Sequence, residues 1–149
     1  MARVKLEVSS TFSFQTTIPI RITDVNYGGH VGNDSILSIL HEVRIQFLKK
    51  FGCDEKNFFG VGLIMNDVAI EFKKELFYGD TIYAYLTIPN FEKISFDIFY
   101  KLEVVVNEKS TIAVLAKTGM VCFNYDTKRI AAVPDEAKKM GFDRNQGPF

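Results

Sequence analysis

Cysteine and histidine are scarce in this 149-residue chain, two of each, and tryptophan does not occur. Cys53 and Cys122 lie far apart, in no metal-ligand spacing. Two isolated thiols read as reduced side chains of a cytosolic protein, which argues against a disulfide framework. The two histidines, His30 and His41, have no metal-like partners nearby in sequence, so neither a metal site nor a metal cofactor is expected. Net charge is also missing: 18 basic residues balance 18 acidic ones. That removes any whole-chain electrostatic reason to bind nucleic acid or an anionic membrane. No apolar run reaches the ~18 residues that span a bilayer. Met1–Ser10 alternates polar and apolar residues and lacks the apolar centre of a signal peptide. No repeat, low-complexity segment or linker interrupts the chain, so one domain over residues 1–149 and a cytoplasmic location are expected. What is present is ordinary for a globular protein: 47% hydrophobic and 24% charged residues. Intrinsic disorder needs the opposite balance. A chain this long can bury roughly 70% of the surface its unfolded form exposes.

Periodicity predicts the elements. Thr11–Arg21 places Phe12, Phe14, Thr16, Ile18 and Ile20 on one parity, the mark of a strand with one buried face. Pro19 puts that strand at an edge or a bulge, because it has no N–H to donate. Asn33–Phe51 is the one long helical pattern, with Ile36, Leu40, Val43, Phe47 and Phe51 spaced by three and four. Leu37 and Leu48 widen the stripe, which predicts a helix buried around most of its circumference. Asn33 and Asp34 are the N-cap candidates, and Gly52 stops the helix. Four strands follow: Leu63–Glu75, Thr81–Ile88, Ile94–Val106 and Thr111–Tyr125. Turns at Tyr78-Gly79-Asp80, Pro89-Asn90, Asn107–Ser110 and Asp126-Thr127-Lys128 predict antiparallel neighbours. A short helix runs from Pro134 to Met140, and the tail from Asp143 is expected to fray. One buried helix against a run of strands defines an α+β layer, the helix on one sheet face.

The chemistry-bearing segment joins the first strand to the helix: Arg21-Ile22-Thr23-Asp24-Val25-Asn26-Tyr27-Gly28-Gly29-His30-Val31-Gly32-Asn33-Asp34. Its glycines let a ligand approach the backbone closely. It ends at a helix N-terminus, where unpaired N–H groups and a partial positive charge can stabilise an oxyanion on a carbonyl substrate. The same composition also serves a plain strand-to-helix turn.

Asp24-Val25-Asn26-Tyr27-Gly28-Gly29-His30-Val31-Gly32-Asn33 resembles the loop that opens the central helix of hotdog-fold acyl-CoA thioesterases, a family that includes hydroxybenzoyl-CoA and plant acyl-ACP thioesterases. That loop reads Asp-x-Asp-x-x-Gly-His-Val-Asn-Asn and precedes a helix bearing Glu-x-x-Arg. Glu42-Val43-Arg44 is similar, with one residue fewer between the charges. Ala69–Leu76 followed by Gly79-Asp80, and the last long strand ending before Arg129 and Val133-Pro134, extend the likeness over roughly residues 11–140. The resemblance implies an antiparallel β-sheet wrapped around one long central α-helix. It also implies at least a homodimer, or a homotetramer, with active sites between subunits. The implied substrate is an acyl-CoA or acyl-ACP thioester, hydrolysed without a cofactor.

One departure matters. Where the family carries its second Asp, a catalytic carboxylate, this chain has Asn26. An amide cannot act as general base, although it can orient water or donate to a carbonyl. The remaining candidates for the acid-base role are His30, Asp34 and Glu71. The imidazole class titrates near neutrality. His30 and Glu71 match residues of the plant acyl-ACP catalytic set. Each has a plainer role available. His30 can brace the turn, Asp34 can complement the helix dipole, and Glu71 can pair with Lys73 on the strand surface. Tyr27, Gly28, Gly29, Val31, Gly32 and Lys73 are the expected substrate-binding residues, with the Val31 and Gly32 amides holding the oxyanion. Lys73 and Lys74 suit coenzyme A phosphates, but strand alternation points them to opposite faces. Phe58-Phe59-Gly60 and Phe77-Tyr78 are candidates for an acyl or aryl pocket, or for ordinary packing. The functional expectation is a thioesterase; the alternative is an acyl-binding protein of the same fold that has lost its base.

Overall fold

A computed structural model describes residues 2–8 and 11–140; the tail from Asp143 lies outside them. Strand β1 spans Phe14–Pro19, helix α1 Asn33–Lys50, β2 Gly62–Phe72, β3 Thr81–Thr87, β4 Ser95–Val106, β5 Lys109–Asn124 and β6 Arg129–Ile130. The strands form one antiparallel sheet in the order β1-β3-β4-β5-β2, with β6 paired to β5. Pro19 therefore sits on an edge strand, where a missing N–H removes no ladder bond from a central strand. Asn107 and Glu108 both take positive φ (50° and 65°). That is the two-residue turn whose twist suits a hairpin, and it pairs Val106 with Lys109.

Two expectations about connectivity and capping are corrected. The Tyr78-Gly79-Asp80 turn does not join paired neighbours: β2 lies at the far edge against β5, while β3 pairs with β1 and β4. The chain crosses the sheet end between them. The helix cap is Gly32, with no side-chain cap bond, and Asn33 and Asp34 are the first two helical residues. A Cβ on Gly32 would lie 2.6 Å from Asp34 Oδ1, so the carboxylate folds back over the bare glycine and would have to turn aside for any larger residue. The segment expected to be a last helix is a 3-10 turn, Ala137–Lys139.

Helix α1 lies across the concave sheet face through Ile36, Ile39, Leu40, Val43, Phe47 and Leu48, all at most 5% exposed. Phe47 meets Phe14 edge-on at 5.6 Å between ring centroids. Opposite them are Ile98, Tyr100 and Leu102 of β4 and Ala116, Thr118 and Met120 of β5, all fully buried. The buried stripe is narrower than the periodicity predicts. Leu37, His41 and Glu42 face solvent in the single chain, and Phe51 falls just past the helix. Arg44 is buried instead, donating to Glu55 Oε2 (3.2 Å) and to the Tyr100 hydroxyl (3.1 Å). His41 Nε2 reaches the other Glu55 oxygen at 2.6 Å. Both cysteines are buried and unpaired. Among the described residues, no helix is long and apolar enough to cross a membrane, and no three His, Cys, Asp or Glu side chains gather to hold a metal ion.

Candidate active site

The loop before α1 is a small hairpin held at both ends. Asp24 is buried, and its Oδ2 accepts the Arg21 N–H at 2.8 Å. Val25 bridges to Val31, Asn26 N–H donates to His30 O (2.9 Å), and Gly29 N–H donates to Asn26 O (3.0 Å). Gly29 takes φ +83°, which closes the tip. Asn26 Oδ1 accepts the Gly28 N–H at 2.9 Å. That contact fixes the amide's orientation and leaves Nδ2 free to donate toward Gly32 and the helix end. The tip is locked to the sheet by the β2–β3 connection. Val31 N–H donates to Leu76 O (2.8 Å), and His30 bridges to Phe77. The turn fixes that connection in turn, because Asp80 Oδ2 accepts the Phe77 N–H at 2.9 Å. The Gly79-Asp80 pair thus positions the backbone beside His30.

His30 and Asn26 converge over Gly28. A methyl group on Gly28 would stand 3.1 Å from His30 Nε2 and 3.3 Å from Asn26 Oδ1. The bare glycine leaves that approach open to a small polar group. His30 Nδ1 lies 3.5 Å from Val31 O, and Nε2 lies 3.9 Å from Glu75 Oε1. With Nδ1 protonated, Nε2 is the basic nitrogen.

The predicted residues are divided between two hollows. His30, Val31 and Lys73 line a cleft of about 350 Å³ with Asn33, Ile36, Phe72, Lys74, Glu75, Leu76 and Val114. It has an apolar floor and a polar, basic rim. Asn26, Tyr27, Gly32 and Asp34 border a second hollow of about 380 Å³, with Asp24 and Ser35. Gly28 and Gly29 form the tip between them. Glu71 is brought to neither. Its register partner Leu115 faces Lys101 on the outer sheet face, away from the helix. Glu71 Oε1 pairs with Lys73 Nζ at 3.3 Å, while Oε2 is a buried oxygen without a hydrogen-bond partner among the described residues.

Three further expectations are corrected by this geometry. The Val31 and Gly32 amides are already used, by Leu76 O (2.8 Å) and Asp24 O (3.3 Å). The N–H groups without a helical partner are those of the first turn, starting at Asn33, which lines the cleft. Strict alternation does not hold at Lys73 and Lys74: both N–H groups donate to Ala113 O, at 2.8 and 3.2 Å, and both residues border the cleft, with Lys73 Nζ turned to Glu71 at 3.3 Å. Two residues opposing one is a bulge, which cancels the alternation. Phe58 is fully buried and stacked on Phe96, so it is core; Phe77 and Tyr78 are exposed beside His30. Glu75 and Asn33 were not singled out as cleft residues by the sequence. The bridge between His30 and Phe77, 47 positions apart in the chain, and the Val31 N–H···O=C Leu76 bond bring Glu75 to the histidine.

An antiparallel sheet curled around one long helix, with a glycine-rich loop at the helix start, is the hotdog fold. Its solved examples include a 1,4-dihydroxy-2-naphthoyl-CoA thioesterase from Synechocystis (TM-score 0.78, 20% identity, covering 89% of this chain and 97% of that one). Another is an aspartate-to-asparagine mutant of 4-hydroxybenzoyl-CoA thioesterase complexed with 4-hydroxybenzoyl-CoA (TM-score 0.76, 17% identity, covering 86% and 97%). The chain belongs to the thioesterase-like superfamily, whose family model it matches over residues 20–140. It is 34% identical over 116 residues to a 1,4-dihydroxy-2-naphthoyl-CoA hydrolase of Rippkaea orientalis, covering 76% of this chain and 83% of that protein.

Proposed function

We propose that this protein hydrolyses the thioester of an aromatic acyl-CoA, of the 1,4-dihydroxy-2-naphthoyl class, to the free acid and coenzyme A. The observation that carries the site assignment is the convergence of His30 Nε2 and Asn26 over the bare Gly28, beside an apolar cleft. In this reading water bound at His30 Nε2 loses a proton to the imidazole and attacks the thioester carbon. The developing oxyanion is met by Asn26 Nδ2 and the first-turn amides of α1, donors already aimed before reaction. As the tetrahedral intermediate collapses, the C–S bond breaks and the thiolate takes the proton from the imidazolium. Ile36, Phe72, Leu76 and Val114 receive the acyl group, and Lys73 and Lys74 offer positive charge to the phosphates of coenzyme A. Tyr27, exposed beside the second hollow, offers its ring to the substrate in this reading. Asp34, which borders the second hollow, complements the helix dipole. Glu71 contributes on the outer sheet face and not in the cleft.

The working unit in this reading is a homodimer or larger. Strand β2 is a sheet edge of 11 residues that exposes Ile64, Met65, Val68 and Phe72. An open apolar edge of this length is normally covered. The acyl-binding alternative rests on Asn26 alone, and the matched curated relatives are named as hydrolases. A thiol-release assay over aryl-CoA, alkyl-CoA and acyl-ACP substrates tests the function. Fastest turnover is expected with a hydroxylated aryl-CoA. Background rates on every thioester would overturn the reading, and a preference for acyl-ACP would overturn the carrier.

A further inference from the structure

We propose that Glu75 is the carboxylate of this hydrolase's acid-base pair, acting through His30 and compensating for the amide at position 26. The inference rests on the thioesterase reading of the cleft. Glu75 Oε1 lies 3.9 Å from His30 Nε2, the nitrogen that faces Gly28 and Asn26. That separation is too long for a direct hydrogen bond, but one water can bridge the two atoms at ordinary distances. Such a water would be held by both groups beside Asn26. When His30 takes its proton, the new imidazolium faces a carboxylate at ion-pair distance, so Glu75 stabilises the charge that forms in the step. The hydroxide adds to the carbonyl carbon, the C–S bond breaks on collapse, and the proton returns from Nε2 to the leaving thiolate. Proton and electron pair are accounted for without a co-reactant.

Position explains how Glu75 gets there. The bulge at Lys73 and Lys74 ends the strand alternation. The Val31 N–H···O=C Leu76 bond then holds the segment against the loop, one residue beyond Glu75. The charged groups sharing the cleft with His30 are Lys73, Lys74 and Glu75. Lys73 is taken by Glu71 at 3.3 Å, so its charge is partly answered away from the imidazole. Of the other acidic candidates, Asp34 borders the second hollow and Glu71 lies on the outer sheet face. Glu75 is the acidic residue lining the histidine's own cleft. Its side chain is 66% exposed, so its replacement leaves the core untouched.

The test is a double-mutant cycle on thiol release with an aryl-CoA. Glu75→Gln is expected to lower kcat by about 10- to 100-fold with KM nearly unchanged. That range corresponds to an opposite charge near 4 Å between water-like and protein-like screening. Glu75→Asp should recover part of the loss. In a His30→Ala background, Glu75→Gln should have almost no further effect, because the carboxylate acts through the imidazole. An active wild type whose kcat survives Glu75→Gln, or a loss of equal size in both backgrounds, overturns the assignment alone. Wild-type protein that releases no thiol from any thioester overturns the thioesterase reading and this role with it. Unchanged circular dichroism and Tm in Glu75→Gln separate a kinetic loss from misfolding.

Discussion

Removing one oxygen from the core, by Tyr100→Phe, tests how the helix is held to the sheet. The Tyr100 ring is fully buried on β4, and Phe preserves its shape. The hydroxyl accepts from Arg44 Nη1 at 3.1 Å and pairs with Thr118 Oγ1 at 2.8 Å. Burial pushes the phenol above its ordinary value while Arg44 pulls it back, so the group keeps its proton. Burial works against the Arg44 charge too, but Tyr100 and Glu55 together hold that guanidinium above its usual value. Deleting the hydroxyl strands a buried cationic N–H and the buried Thr118 hydroxyl at once. A hydrogen bond to a charged group contributes about 1.5–3 kcal/mol, and an orphaned buried polar group costs about 1–3 kcal/mol. These overlap, so the expected loss is about 2–3 kcal/mol, or roughly 5–10 °C in Tm for a domain of this size. Urea denaturation should show a lower midpoint with unchanged slope. Thiol release below the transition should persist, since neither Arg44, Tyr100 nor Thr118 lines the cleft. A stability change under about 0.5 kcal/mol would refute the claim that this network carries net stability.

Two further outcomes follow from the same geometry. Burial pushes the Cys122 thiol up to about 11, whereas an unfolded thiol ionises near 8.5. Between those values the unfolded chain binds fewer protons than the native one, so stability falls as pH rises from about 9 to 11. Urea midpoints at pH 8 and pH 10.5 should differ less in Cys122→Ala than in the wild type. Asn26→Asp is expected to lower turnover on aryl-CoA several-fold, and a gain in kcat would show that the amide marks a lost base.

Much of the fold was legible in the sequence because period-two and period-3.6 patterns are local. The strands around Ile18, Ile82, Ile98 and Met120 and the helix from Asn33 to Lys50 follow from spacing alone. Sheet order was not, since a tight turn at Gly79 looks the same whether its strands pair or part. The width of the helix stripe was overread at Leu37, which faces solvent in the single chain. In the site, the loop announced itself through Gly28-Gly29-His30, and its likeness to a known family supplied the expected chemistry. What stayed hidden were pairings across the chain. The capture of the Val31 and Gly32 amides by Leu76 and Asp24 removes donors expected at a helix N-terminus. The bulge that turns Lys73 and Lys74 into one cleft exists only because both amides find Ala113 O.

The amide at position 26 makes physical sense once Glu75 is placed on the histidine. A carboxylate at residue 26 would keep the Gly28 N–H contact through one oxygen, since Asn26 Oδ1 already accepts it at 2.9 Å. It would lose the Nδ2 donor that points toward Gly32 and the helix end. It would also add a negative charge beside the place where the oxyanion is proposed to form, with Asp34 folded over Gly32 close by. Two carboxylates facing one developing anion raise its energy, and the first-turn amides would spend part of their field on the fixed charge. Asparagine avoids that conflict, keeping the turn and supplying a neutral donor. The negative charge is then carried by Glu75, 3.9 Å from His30 Nε2, where the compensating positive charge develops. The carboxylate thereby answers the imidazolium while the amide at position 26 donates to the oxyanion, and this division of roles is why Asn26→Asp is expected to reduce the rate and not to restore one.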